Sequence, residues 1–158
     1  MPHTTFNRPD LSAFARLDDL GLELTGQRMW SDHAVLACRI AGADRWCRRC
    51  ESQGEARDAV IRRPAHEPYG WRPTILHVSM RRYRCQECTH VWRQNMSAAA
   101  DPRAKLSRAA VRWALTGVVV HHVTVARIVQ ALGASWKSRQ HRCPDRRRVL
   151  TDQRPNPV

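Results

Sequence analysis

Apolar and polar residues alternate with a period of two along LGLELTGQRMW (residues 20–30) and HAVLACRI (33–40), which predicts two strands joined in a hairpin around Ser31 and Asp32. Just upstream, Asp10 is placed to cap a short helix carrying Leu11, Phe14 and Leu17. ARDAVIRR (56–63) and TILHVSMRRYRC (74–85) predict two more strands, separated by the Pro and Gly punctuation of PAHEPYGWRP (64–73). HVWRQ (90–94) can run back as a short strand.

The texture changes at Ser97. SAAADPRAK (97–105) has the small residues and proline of a linker. From Leu106 to Leu132 the period becomes helical, with Leu106, Ala110, Trp113, Ala114 and Val118 on one stripe. Thr124 can cap a second helix whose apolar face is Val125, Ile128, Val129 and Leu132, Gly133 can supply a turn, and Ser135 can cap a further helix. The expected class is α+β: a small zinc-ribbon-like β domain over residues 1–96, a linker at 97–105, a partial helix-turn-helix at 106–143 and a disordered basic tail at 144–158. A helical hairpin that only packs would give the same pattern.

Six cysteines punctuate this frame, four of them as Cys47-x-x-Cys50 and Cys85-x-x-Cys88. Cysteines two residues apart in a tight turn can aim both sulfurs at one ion, and two such turns give the four-sulfur tetrahedron that zinc prefers in closed structural sites. The intervening segment reads as two strands and a turn, which would return the second pair beside the first. Arg45, Arg48, Arg49 and Arg84 crowd the pairs, and positive charge there would favour thiolates. Two other readings compete: four buried thiols without a metal, or a redox pair, which needs one Cys-x-x-Cys at a helix start in an α/β unit. Cys38 lies in a strand pattern and is expected in the core, and Cys143 lies in the tail. His90, His66 and His77 are weaker candidates to replace a thiolate.

Charge adds a partner. The 158-residue chain has a formal net charge of +13, unevenly placed: residues 1–102 carry net +3 and residues 103–158 net +10. Such an excess gains affinity for a polyanion by releasing counterions, so nucleic acid is the expected partner. Arginine outnumbers lysine 25 to 2, which suits bidentate phosphate and guanine contacts, although GC-rich coding would produce the same bias. There is neither a cationic start followed by an apolar run nor a tract of 18 apolar residues, so a cytosolic location is expected, where paired cysteines read as metal or redox sites rather than disulfides.

CRRC, the strand ending RRYRCQEC, Trp92 just after the second cysteine pair, and VARIVQALGASW together resemble the N-terminal part of an insertion-sequence transposase of the ISL-three family, over residues 10–136. In that family a zinc-binding domain with two Cys-x-x-Cys knuckles precedes a helix-turn-helix and then a catalytic domain with an Asp-Asp-Glu triad. The resemblance implies one structural zinc on Cys47, Cys50, Cys85 and Cys88, a DNA reader whose second helix and turn span residues 124–136, and insertion-sequence terminal repeats as the DNA partner. With the basic tail added on the ground of its charge, the expected DNA contacts are Arg127, Ser135, Trp136, Lys137, Arg139, Arg146, Arg147 and Arg148.

Two departures qualify it. The carboxylates that would hold two metal ions for strand transfer have no counterpart here. Six and nine residues after Gly133, where a reading helix needs apolar residues, stand Arg139 and Arg142, and Pro144 blocks continuation. Either a changed reading frame or a basic arm that binds phosphate without reading sequence accounts for that tail. The expectation is a truncated transposase fragment that binds DNA and does not cut it. A zinc-ribbon adaptor for a protein or RNA partner, and a thiol enzyme, are the rivals.

Overall fold

The computed structural model describes residues 10–133, which form an α+β fold built on a mixed six-stranded sheet. At its start Asp10 caps α1 (Leu11–Phe14), its Oδ1 accepting from the backbone N–H of Ser12 and Ala13 at 2.9 and 3.2 Å. The helix is a single turn because Arg16 adopts a left-handed φ of 53°. That reversal sends Leu17 into the core, fully buried, and leaves Phe14 84% exposed, so the three apolar residues do not share one face.

The hairpin forms as its alternation predicts: β1 (Leu22–Met29) runs antiparallel to β2 (Ala34–Ile40), with Leu22 opposite Ile40 and Met29 opposite Ala34. Leu22, Leu36 and Cys38 turn inward, while Glu23 and Arg39, also cross-strand neighbours, form an ion pair at 2.6 Å on the exposed side.

The remaining strands are β3 (Gly54–Arg62), β4 (Ala65–Tyr69), β5 (Arg72–Cys85) and β6 (Val91–Arg93), and all but β1 pair with β5. With 14 residues at about 3.3 Å each, β5 is a spine long enough to serve two sites. Its residues 74–79 pair with β2 in parallel and residues 82–84 with β6; on the opposite edge 72–75 meet β4 and 78–85 meet β3.

Burial along this strand changes parity. Thr74, Leu76, Val78 and Met80 are buried, then Tyr83 and Cys85. Because successive side chains alternate between faces and the one-residue irregularity against β3 lies on β3, between Ala56 and Asp58, the two sets lie on opposite faces. The first half of β5 floors the main core with Leu17, Leu20, Leu22, Leu36 and Cys38, and each such Leu or Val contributes about 1.5–3 kcal/mol by leaving water. The second half supports the cysteine site.

Two segments depart from the sequence pattern. PAHEPYGWRP is more than punctuation: Ala65–Tyr69 is a strand, and Gly70 and Trp71, with φ of 57° and 65°, make the two-residue turn into β5. The prolines hide this strand, because Pro68 offers no N–H and falls in the register gap between His66 and Tyr69, where none is required. Trp71 accepts the left-handed backbone with its ring edge against Trp113, centroids 6.2 Å apart.

Likewise, the stretch expected as a linker enters the core through Ala99 and Ala100, both essentially inaccessible, next to Met96. Small side chains there allow close packing as well as flexibility, and sequence does not distinguish the two uses.

The helical region follows its caps. Ser107 accepts from the Ala110 N–H to start α2 (Arg108–Val119), and Thr124 accepts from the Arg127 N–H to start α3 (Val125–Ala131). Ala110, Ile128 and Leu132 form a second small core with Leu106, Trp113 and Ala114 around it. Gly117, not Val118, completes the buried stripe, since a Cβ at 117 would lie 2.7 Å from Ile128 Cδ1. Val118 and Val125 face outward. Gly133 has the left-handed φ of 62° expected of a turn glycine.

His66 joins the two cores. It is fully buried, with Nδ1 2.9 Å from Ser107 Oγ and Nε2 3.4 Å from Tyr69 Oη, while Tyr69 donates to the Ala15 carbonyl at 2.7 Å. With that donor committed, Tyr69 accepts from His66 Nε2–H, and Nδ1 is left to accept from Ser107. Burial lowers the imidazole pKa to about 4, so the neutral form fills this site.

Candidate metal centre

The two cysteine pairs occupy equivalent turns. Trp46 pairs with Gln53 around the first, and Arg84 pairs with Val91 around the second. The Cys47 N–H donates to the Ser52 carbonyl and the Cys85 N–H to the His90 carbonyl, each at 2.9 Å and each five residues on. The residue after each second cysteine, Glu51 and Thr89, has φ of 59°. Two copies of one knuckle are therefore present, although the usual sequence marker of the left-handed position, a glycine, is missing from both.

β3 brings the knuckles together. It begins directly after the first knuckle and β5 ends directly at the second, and Gly54 stands opposite Cys85 in their ladder. Trp92 clamps the join: its ring stacks on Tyr83 with centroids 5.7 Å apart, and its Nε1–H donates to the Asp44 carbonyl at 2.8 Å. Gly54 is required beneath it, because a Cβ there would lie 2.2 Å from the indole Cη2. Trp92 stands out in the sequence and Gly54 does not, since the reason for the glycine lies in a contact 38 residues away in the chain.

The four sulfurs of Cys47, Cys50, Cys85 and Cys88 all lie within 4.8 Å of one another. Cys47 Sγ is 3.5 Å from Cys88 Sγ, and Cys50 Sγ is 3.3 and 3.4 Å from those of Cys85 and Cys88. A disulfide needs about 2.05 Å, so these are thiols in contact rather than bonded pairs. A tetrahedron with metal–sulfur distances of about 2.3 Å has edges of about 3.8 Å, so outward movements of a few tenths of an ångström admit one ion. Cys47 and Cys85 are buried, Cys88 is half-buried and Cys50 is exposed, which leaves one side open to solvent.

Backbone N–H groups serve the sulfurs. The Arg49 N–H donates to Cys47 Sγ at 3.5 Å. The Ser52 amide, with help from the Cys85 and Cys88 thiols, lowers the Cys50 pKa to about 6. The His90 amide pulls Cys88 in the same direction, but burial and the neighbouring sulfurs outweigh it and push that thiol up to about 12. The opposite shifts have one meaning: of the contacting pair Cys50 and Cys88, one ionises easily and its neighbour then resists, as expected of two acids sharing a site. A bound dication reverses that resistance by making each further thiolate favourable.

The expected arginines are not the source of these shifts; Arg48 instead pairs with Asp44 at 3.5 Å. None of the three histidines joins the sulfurs. His90 contributes its backbone and stacks on Trp92, His66 is tied to Ser107 and Tyr69, and His77 lies on β5 within the sheet. Cys38 is a core residue, as expected, with its thiol pushed up to about 11 by burial.

Of the residues expected to contact DNA, Arg127 is exposed on α3. Ser135, Trp136, Lys137, Arg139, Arg146, Arg147 and Arg148, with Cys143, Pro144 and the expected tail, lie outside the described residues. No protein-family model, curated protein or solved structure matches the chain. Among the described residues no helix is long and apolar enough to cross a membrane.

Proposed function

We propose that the chain is a zinc-stabilised DNA-binding module of the kind that precedes the catalytic domain in ISL-three-type transposases, and that it holds DNA without cutting or joining it. The observation that carries the reading is the sulfur tetrad on two matched knuckles. An all-sulfur tetrahedral donor set favours zinc or iron, and the fully protein-supplied shell is that of a structural site. Zinc would supply charge that ionises the four thiols and a cross-link between the knuckles. The chain's residues do the rest: the Arg49, Ser52 and His90 amides hold three sulfurs in place, and Trp92 keeps β6 against the first knuckle.

The DNA half of the reading rests on charge and on the helical pair. Net +10 after residue 102 supplies counterion release, and α2, α3 and the left-handed Gly133 have the order of the opening of a helix-turn-helix. With Arg139, Arg142 and Pro144 interrupting the apolar pattern that a reading helix needs after Gly133, contacts fall mainly on phosphates, so binding is steeply salt-dependent and nearly blind to sequence. Fluorescence anisotropy on a candidate terminal repeat and a scrambled duplex, across a salt series, tests this. Similar affinities that fall together with salt are expected; a preference of roughly a thousandfold at physiological salt means an intact sequence reader instead.

One observation favours a second reading, a zinc-centred adaptor for a protein partner. Val111, Leu115, Val118 and Val119, at helical spacing on α2, are 43, 60, 39 and 69% exposed. Zinc in the protein with no affinity for nucleic acid would select the adaptor.

A further inference from the structure

The sheet holds a second polar site beside the cysteine tetrad, on the face that carries Met80. A cleft of about 300 Å³ there is lined by Arg48, Arg62 and Arg93, with Met80 and Met96 as its apolar part. The three arginines come from three separate elements: Arg48 from inside the first knuckle, Arg62 from the end of β3, and Arg93 from the end of β6. Register explains their convergence. Arg62 stands opposite Val78 and Arg93 opposite Arg82, and both partners share the parity of Met80 on β5.

The cleft gathers three positive charges from separate elements. Arg93 stands directly across from Arg82, whose charge is met by Asp58 on its other side. No Asp or Glu is among the described residues lining the cleft. Among the described residues Arg48 pairs with Asp44 alone, at 3.5 Å, between side chains 71 and 34% exposed. Arg62 is fixed through Nη2, which donates to the Ala104 carbonyl at 3.0 Å and reaches the Asp101 carbonyl at 3.4 Å. That anchoring uses Nη2 and leaves Nε and Nη1, on different edges of the guanidinium, as single donors for a phosphate oxygen.

We propose that this cleft binds a phosphodiester of a nucleic-acid backbone, so that the metal-centred half of the chain contributes a phosphate contact of its own beside the basic C-terminal region. The site rests on the DNA-binding reading for the source of its phosphate, and on the three guanidinium groups alone for its chemistry.

Two measurements on the metal-loaded full chain separate the site from that reading. In the first, inorganic phosphate is titrated while the arginine Nε–H signals are followed by NMR. Saturable shifts of Arg48, Arg62 and Arg93, with Arg57 unmoved, are expected. In the second, duplex affinity is compared among wild type, Arg93→Gln, the Arg62→Gln/Arg93→Gln pair and the exposed control Arg57→Gln. The pair should lose about tenfold and flatten the salt slope by about one unit, one phosphate's worth, and the exposed Arg93→Gln alone should lose a few fold. Arg93→Gln keeps the test decisive if loss of the Arg62 anchor unfolds the chain. Duplex binding unchanged in Arg93→Gln and the pair overturns the proposal and leaves the DNA reading standing. Phosphate shifts without duplex binding by wild type overturn the DNA reading and the phosphodiester assignment together, leaving a small-oxyanion site. Absence of any phosphate shift overturns the site itself.

Discussion

Acidification should unlock the joint between the sheet and the helical region. His66 is neutral in the folded chain with a pKa near 4, against an ordinary value of 6.5. A lowered folded-state pKa means that the unfolded chain takes the proton first, so this contribution is present above pH 6.5 and is lost as pH falls from 6.5 towards 4. At about 1.36 kcal/mol per pKa unit the full loss is about 3 kcal/mol, with about 2 kcal/mol gone by pH 5. Tyr69, pushed up to about 12 chiefly by burial, keeps its proton and its bond to Ala15 throughout. The assay is urea unfolding of wild type and His66→Gln in parallel from pH 7.5 to 4.5. Other carboxylates and the acid sensitivity of the thiols act on both proteins and cancel in the difference. Wild type should be the more stable at pH 7.5, by on the order of 1–3 kcal/mol, and the gap should close through pH 5. Parallel stability curves would refute the claim that a buried neutral histidine holds the joint.

Gly54→Ala, with a Cβ 2.2 Å from the Trp92 ring and 3.1 Å from the Arg84 carbonyl, should cost about 1–3 kcal/mol and change the indole fluorescence; an unaltered melt and spectrum would remove Trp92 from its place as clamp. Replacing Arg146, Arg147 and Arg148 by Ala should weaken every duplex about equally and reduce the salt slope by about one unit per lost phosphate contact, and a loss confined to one sequence would argue for base readout. The purified chain should leave terminal-repeat DNA intact with magnesium or manganese, and cleavage abolished by a single carboxylate substitution would contradict that.

Sequence carried the local rules well. Alternation located β1, β2, β3 and β5, caps located α1 and α3, an apolar stripe located α2 without its Ser107 cap, and paired spacing located all four sulfur donors. What it hid depends on contacts between distant segments. The strand at Ala65–Tyr69 is masked by Pro68, and Ala99 and Ala100 read as linker because small residues look alike in loops and in tight cores. The symmetry of the knuckles is a backbone property held by Glu51 and Thr89, neither of which advertises a left-handed turn. His66 offered a metal ligand by type and turned out to be a hydrogen-bonded core residue, because only the fold sets it between Ser107 and Tyr69.

Native mass spectrometry of the isolated chain, with metal identity read by elemental analysis, tests the central claim most directly. One zinc per chain is expected, lost on Cys88→Ser. The open side at Cys50 gives a chelator its approach, and removal of the ion should collapse the cooperative melt, since structural zinc supplies about 10–16 kcal/mol in small modules. A metal-free chain with an unchanged melt, or full zinc occupancy in Cys88→Ser, would contradict the account.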